Sequence, residues 1–264
     1  MCFLVMSFFI HSRKKWGQHF LRDELVARRI VSLLSASPSY DALVEIGPGY
    51  GALTKWLVKD SQLPLYFVEI DAFLVDYLKK TYNAIGERLI SGDFLALSLE
   101  RLCTGRVGLI GNLPYNIASQ VLFKVFADRQ RVVEVVCMVQ KEVAERITAV
   151  PGSRIYGLLS VLLQAFYEIT YCFDVGSESF CPPPKVTSAV IKLLRNEVVC
   201  LDCDEKLFLR VIKAGFGQRR KMLRNALSGL GLSFAQVPAC LLEKRAEVLG
   251  VEDFVRITRC LALE

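Results

Sequence analysis

From Asp41 to about Leu194, short apolar, β-branched runs alternate with longer segments in which apolar residues return every three or four positions. That succession is the signature of strands alternating with amphipathic helices. The spacing predicts strands at Leu43–Ile46, Leu65–Ile70, Arg88–Ile90, Val107–Gly111, Val132–Val139, Glu168–Asp174 and Ser188–Leu194. Helices are expected between them at Leu53–Val58, Phe73–Tyr82, Ser119–Phe126, Lys141–Thr148 and Leu158–Phe166. The fold class is therefore α/β, a mostly parallel sheet with helices on its faces. After the turn-rich stretch Asn196 to Asp204 the strand runs stop, and Phe208, Val211, Ile212, Leu223, Leu227 and Leu230 follow helical spacing. Pro238 and Gly250 are read as the start and stop of one helix, and Asp253 to Leu263 as another. Residues 1–200 are expected to form the α/β domain and residues 201–264 a small all-helical one.

Composition narrows the class. Of 264 residues, 53% are hydrophobic and 23% charged, which excludes a disordered chain. Ile155 to Tyr167 is the longest uncharged apolar stretch of the body, short of the roughly 18 to 20 residues that a membrane-spanning helix needs. The apolar start, Met1 to Ile10, precedes its basic residues Arg13, Lys14 and Lys15, the reverse of a secretory signal, and Met6 is an alternative initiator. Nine scattered cysteines fit a reducing cytoplasm, and Cys200 and Cys203 lack the partners of a zinc site, so no metal is expected. The net charge of +6 is uneven: residues 205–264 hold 11 basic and 6 acidic residues, a bias that suits an anionic partner such as nucleic acid.

Val44-Glu45-Ile46-Gly47-Pro48-Gly49-Tyr50-Gly51 closes a strand and opens a helix, so its glycines let the backbone turn tightly against a ligand. The next strand ends in Glu69, placed to accept hydrogen bonds from a ribose diol, while Asp71 is a candidate cap for the following helix. A third strand ends at Asp93, whose carboxylate suits an adenine amino group. The loop is G-x-G-x-G rather than G-x-G-x-x-G, and no second nucleotide-binding half follows, which favours S-adenosylmethionine over a dinucleotide.

The fourth strand ends in Gly111-Asn112-Leu113-Pro114-Tyr115-Asn116. Here the Asn112 side-chain oxygen and the Leu113 carbonyl offer two acceptors beside the Tyr115 ring. An exocyclic adenine amine is a poor nucleophile because its lone pair is delocalised into the ring. Two acceptors holding its protons favour a tetrahedral nitrogen aimed at an electrophilic methyl, with the base fixed by stacking. No strong general base is required, since the product ammonium loses its proton readily. Phe180, on the stiff Phe180-Cys181-Pro182-Pro183-Pro184-Lys185-Val186 segment, is expected to close the aromatic sandwich. Lys14 to Leu21 would close over the cofactor, and Arg219, Arg220, Lys221 and Arg224, read as opening a helix, are candidate phosphate contacts.

Taken in order, KKWGQHFL, VEIGPGYGALT, VEID, SGDF, GNLPYNIAS, VQKEVAERI, FCPPPKVTSAV and GQRRKMLRNAL resemble the ribosomal RNA adenine dimethyltransferase family, on its bacterial small-subunit branch. The likeness runs from about Lys14 to Val248. It implies a Rossmann-like class I S-adenosylmethionine-dependent methyltransferase, with residues 201–264 as an rRNA-binding domain. The implied reaction is dimethylation of N6 on two adjacent adenosines in the 3′-terminal hairpin of 16S rRNA, late in small-subunit assembly. His19, Leu21, Gly47, Glu69, Asp93 and Asn112 match cofactor-contacting positions, and Tyr115 and Phe180 match positions flanking the target base. Position 19 is often Asn in relatives. A cytoplasmic monomer is expected. The rival readings are a large-subunit rRNA adenine methyltransferase and a non-catalytic assembly or nucleic-acid-binding factor on the same fold.

Overall fold

The computed structural model describes residues 18–36 and 39–261. His11, the Lys14 to Gly17 segment and both candidate initiators lie outside the described residues. In chain order, β1 (Phe20–Leu21) leads into α1 (Glu24–Val31). The Asp23 carboxylate accepts the amides of Leu25 and Val26 and so starts that helix. Next come β2 (Ala42–Ile46), α2 (Thr54–Asp60), β3 (Leu65–Glu69), α3 (Ala72–Thr81), β4 (Leu89–Ser91) and β5 (Val107–Asn112). They are followed by α4 (Ala118–Ala127), β6 (Val132–Gln140), α5 (Lys141–Thr148), α6 (Leu158–Gln164), β7 (Tyr167–Val175), β8 (Phe180–Cys181) and β9 (Ser188–Arg195).

Seven strands form one sheet in the order β4-β3-β2-β5-β6-β9-β7. Pairings are parallel from β4 through β6, and β9 runs antiparallel to both of its neighbours. The central strands are mostly apolar because both faces are covered; every residue of β2 is buried, Glu45 included. One face packs on α1 to α3 through Ile30, Leu57 and Leu78, the other on α4 to α6 through Val121, Ile147 and Leu162. This is the expected α/β sheet. Strand order reverses between β2 and its neighbours β3 and β5, so the carboxyl ends of these strands flank the crevice where such sheets take ligands.

The chain ends in α7 (Glu205–Gly217), α8 (Leu223–Leu227), α9 (Ala239–Leu242) and α10 (Val251–Leu261). Phe208, Ile212, Leu227, Phe254 and Ile257 of this helical segment share one hydrophobic cluster with the α4 to α6 side of the sheet. The single helix expected from Pro238 to Gly250 is broken. Lys244 O accepts from Leu223 N, and Arg245 bridges to Met222 in extended conformation, so only α9 and a 3-10 turn at Ala246–Val248 remain. Val237, Leu241, Leu242, Ala246 and Leu249 are all buried, which is why their spacing imitates a helix. Among the described residues no helix is long and apolar enough to cross a membrane.

Candidate active site

Four strand ends build one cavity of about 220 Å³. From β2 come Ile46, Gly47 and Gly49; from β3, Val68, Glu69 and Ile70; beyond β4, Gly92, Asp93, Phe94 and Leu95; from β5 and its loop, Asn112 to Ile117 and Gln120. Gln18, His19 and Phe20 close it from the amino-terminal arm. That arm is fixed because β1 pairs antiparallel with β8, Phe20 opposite Cys181 and Leu21 opposite Phe180.

Gly47 and Gly49 adopt φ of 64° and 59°, which a side chain would resist. Nothing lies within 4 Å of where a Cβ on Gly47 would stand, so the loop leaves a bare backbone cradle at the cavity wall. Glu69 closes the loop. Its Oε2 accepts from Gly49 N at 3.0 Å, and its Oε1 accepts from Ile70 N at 2.9 Å and Asp71 N at 3.0 Å. Burial raises the pKa of Glu69 above the ordinary carboxylate value, while the three amides pull the other way. Asp71 caps α3 by accepting from Phe73 N, the structural role open to it. Asp93 accepts from Leu95 N and also lines the cavity.

The Asn112 amide is oriented by the arm: its Nδ2 donates to His19 O at 2.9 Å, which leaves Oδ1 as an acceptor. The Tyr115 hydroxyl lies 2.6 Å from Ser188 Oγ, a residue 0% exposed at the start of β9. His19 Nδ1 is 2.8 Å from Pro182 O, and its ring stands beside that of Tyr115, centroids 5.4 Å apart and planes tilted by 32°. Gln18 Oε1 is buried with no hydrogen-bond partner among the described residues. An orphaned buried acceptor costs about 1–3 kcal/mol, and a ligand N–H in the cavity would remove that cost.

His19, Gly47, Glu69, Asp93, Asn112, Leu113 and Tyr115 therefore converge on one cavity, as the motifs imply. Leu21 lies behind it, 6% exposed, in a smaller recess shared with Glu45, Gly47 and Asn112. Phe180 requires a correction. Its side chain is 1% exposed, packed in the α1 to α3 core, and absent from the cavity wall. Pairing of β8 with β1 turns it inward, and the ring placed beside Tyr115 is that of His19. The basic run also differs from expectation: Arg219, Arg220 and Lys221 lie on the turn between α7 and α8, and only Arg224 is helical. Arg219 is engaged within the chain. Its Nε donates to Glu247 Oε2 at 2.8 Å, and its Nη2 donates to the carbonyls of both Ser153 and Arg154. Arg220, Lys221 and Arg224 are exposed.

The motifs pass over Gln18 and Ser188 as site residues. Gln18 carries its signal in its neighbour His19, and Ser188 in the SAV that ends the proline-rich segment. Among the described residues no cluster of His, Cys, Asp and Glu has the makings of a metal site.

S-adenosylmethionine fits this residue set. A ribose needs the Glu69 carboxylate, an adenine amine needs an acceptor such as Asp93, and an amino-acid end needs the bare glycine backbone and the unpaired Gln18 oxygen. Comparisons with known proteins agree. The family model described as ribosomal RNA adenine dimethylase matches residues 10–262. A ribosomal RNA small subunit methyltransferase A from Cytophaga hutchinsonii is 46% identical, covering 96% of this chain and 98% of that protein. One of the same name from Parabacteroides distasonis is also 46% identical, over 94% of this chain and 93% of its own. Among solved structures, a dimethyladenosine transferase from Plasmodium falciparum superposes with a TM-score of 0.73 at 25% identity, covering 90% of this chain and 96% of that one. The 23S rRNA methyltransferase ErmE superposes with a TM-score of 0.69 at 22% identity over 92% and 99%, a likeness of fold. With the glycine cradle, the acids at the strand ends and the Asn112–Tyr115 corner all in place, the chain belongs to the ribosomal RNA adenine dimethylase family of S-adenosylmethionine-dependent methyltransferases.

Proposed function

We propose that this enzyme dimethylates N6 of two adjacent adenosines in the 3′-terminal hairpin of 16S rRNA, as a cytoplasmic monomer acting late in small-subunit assembly. The relatives at 46% identity, which carry the small-subunit name over nearly their whole length, support that choice of RNA. The observation that carries the chemistry is the commitment of Asn112 Nδ2 to His19 O. It directs Oδ1, with the Leu113 carbonyl, toward the two protons of an entering amine. The bound cofactor supplies a sulfonium-linked methyl group as electrophile. Everything else is done by the chain. Asn112 and Leu113 hold the nitrogen in a reactive shape, Tyr115 stacks on the base, and His19 props the Tyr115 ring. His19, Gly47, Glu69 and Asp93 seat the cofactor, with Leu21 packed behind them. Dimethylation needs the monomethylated amine to turn and present its lone pair again, which two neutral acceptors allow because neither forms a covalent link.

An adenine stacked within RNA has to be splayed out to enter such a cavity, and hairpin loops make this cheap. In this reading residues 1–200 perform the transfer, and residues 201–264 hold backbone phosphates through Arg220, Lys221 and Arg224. The test is labelled methyl transfer to small subunits that lack the modification, followed by nucleoside analysis. N6,N6-dimethyladenosine at two adjacent positions of the terminal hairpin is the expected product. Label confined to large-subunit RNA, or no transfer at all, would overturn the assignment.

A further inference from the structure

The Tyr115 ring is useful only if its plane is already set when the base arrives. A tyrosine has two side-chain torsions, and the phenol oxygen lies on the axis of the second. A hydrogen bond at that oxygen therefore fixes where the axis points, and because a phenol O–H prefers the ring plane, a partner at a fixed place also biases the rotation. Ser188 Oγ is such a partner, 2.6 Å from the Tyr115 hydroxyl. Its place is fixed on both sides: Ser188 opens β9 and is in register with Gln140 of β6 and Val175 of β7. The preceding residue is tied down too, since Thr187 O accepts from Lys141 N at 3.0 Å. Ser188 is fully buried, so its hydroxyl has no solvent to turn to. The His19 ring beside Tyr115, itself held through Pro182 O, restricts the remaining rotation.

We infer that Ser188 is a positioning residue for methyl transfer: it acts through the Tyr115 hydroxyl to hold the stacking ring in the orientation that receives the target adenine. The inference rests on the function proposed above, in which Tyr115 stacks on that base. A catalytic group held by a rigid sheet position loses little entropy on substrate entry, and a small misplacement is costly in rate. Nothing in this role requires Ser188 to touch the cofactor or the RNA.

The test is a double-mutant cycle on methyl transfer to unmodified small subunits, with Ser188→Ala, Tyr115→Phe and the pair. Each single variant is expected to lower kcat about tenfold while leaving the dissociation constants of S-adenosylmethionine and of the RNA within twofold. The double variant is expected to be no slower than the slower single one, because both remove the same hydrogen bond. Ser188→Thr, which keeps the hydroxyl, is expected to recover a large part of the rate; where it does not fold, the cycle decides alone. Losses that multiply in the double variant, full activity of Ser188→Ala, or an equal weakening of cofactor binding would each overturn the inference. A wild-type protein that yields no dimethyladenosine would instead sink the proposed function, and this inference with it.

Discussion

At the scale of single residues, the Glu69 carboxylate and the Asn112 amide are built for different work. Glu69 accepts three backbone amides and still faces the cavity. Asn112 spends its donor on His19 O and keeps its oxygen. Glu69→Ala is therefore expected to weaken S-adenosylmethionine binding at least tenfold in calorimetry. Asn112→Ala is expected to leave that affinity nearly intact and lower kcat by about a hundredfold or more, the usual scale for removing one preorganised polar group. Equal losses of cofactor affinity in both variants would refute this division. Glu45 makes no such contact. It is buried behind the loop, its Oε2 accepting from the Thr54 hydroxyl at 2.7 Å. Burial pushes its pKa up to about 8, the Thr54 bond opposing and the charge of Glu69 adding to the rise. The unfolded chain gives up that proton near pH 4.3, so between there and about 8 the folded form holds a proton that the unfolded form has lost. Stability from this group thus falls as pH rises across that window. Glu45→Gln, which imitates the protonated acid, removes the dependence: its melting temperature relative to wild type should climb by about 5 °C or more from pH 5 to pH 8. A constant difference across that range would show that Glu45 titrates normally.

At the scale of elements, the loop after β2 illustrates what a sequence makes legible. Gly47 and Gly49 announce a tight turn because positive φ favours glycine, and both adopt it. A Cβ on Gly49 would also come within 3.0 Å of the Phe20 ring, so one substitution strains the loop and pushes the arm that carries His19. Gly49→Ala is expected to raise the cofactor dissociation constant at least tenfold by calorimetry, with a fall of only a few degrees in melting temperature. Unaltered affinity would mean that arm and loop are independent. The strands of the sheet were equally readable, because central parallel strands bury both faces and leave apolar runs such as residues 135–139. Two elements were not. The stretch from Pro238 to Gly250 repeats apolar residues at helical spacing, yet the pairing of Arg245 with Met222, 23 positions apart in the chain, breaks it. Phe180 carries the right residue type for a stacking ring, but the side it faces is decided by pairing with β1 some 160 residues earlier, and side-chain period does not encode a two-strand ribbon's partner. For the same reason Ser188 could not be singled out: its importance arises only where β9 meets Tyr115.

For the molecule as a whole, the cations divide between those that hold the fold and those that stay exposed. The helical segment shares its hydrophobic cluster with the sheet, and Arg219 adds a polar clasp where the turn between α7 and α8 meets the 150–156 loop: it binds Glu247 and the carbonyls of Ser153 and Arg154, while Gly152 N donates to Glu247 O at 2.7 Å. Adjacent in sequence, Arg220 and Lys221 are exposed and make no side-chain hydrogen bond or ion pair with the described residues. Under the proposed function these neighbouring cations serve opposite ends, and two variants separate them. Arg219→Ala leaves the Glu247 carboxylate without its partner and two backbone carbonyls without their donor, so it is expected to destabilise the protein by about 1–3 kcal/mol, read as a lower melting temperature. The salt dependence of RNA binding should stay as in wild type. The Arg220→Ala, Lys221→Ala variant is expected to melt like wild type but to bind RNA more weakly. The slope of log K against log salt should fall by about 1.4 to 1.8, since each neutralised phosphate contributes roughly 0.7 to 0.9. Because counterion release is counted by contacts rather than by affinity, the slope distinguishes a lost phosphate contact from a general loss of folded protein. A slope that changes in Arg219→Ala and not in the double variant would exchange the two roles and move the RNA path onto the 150–156 loop.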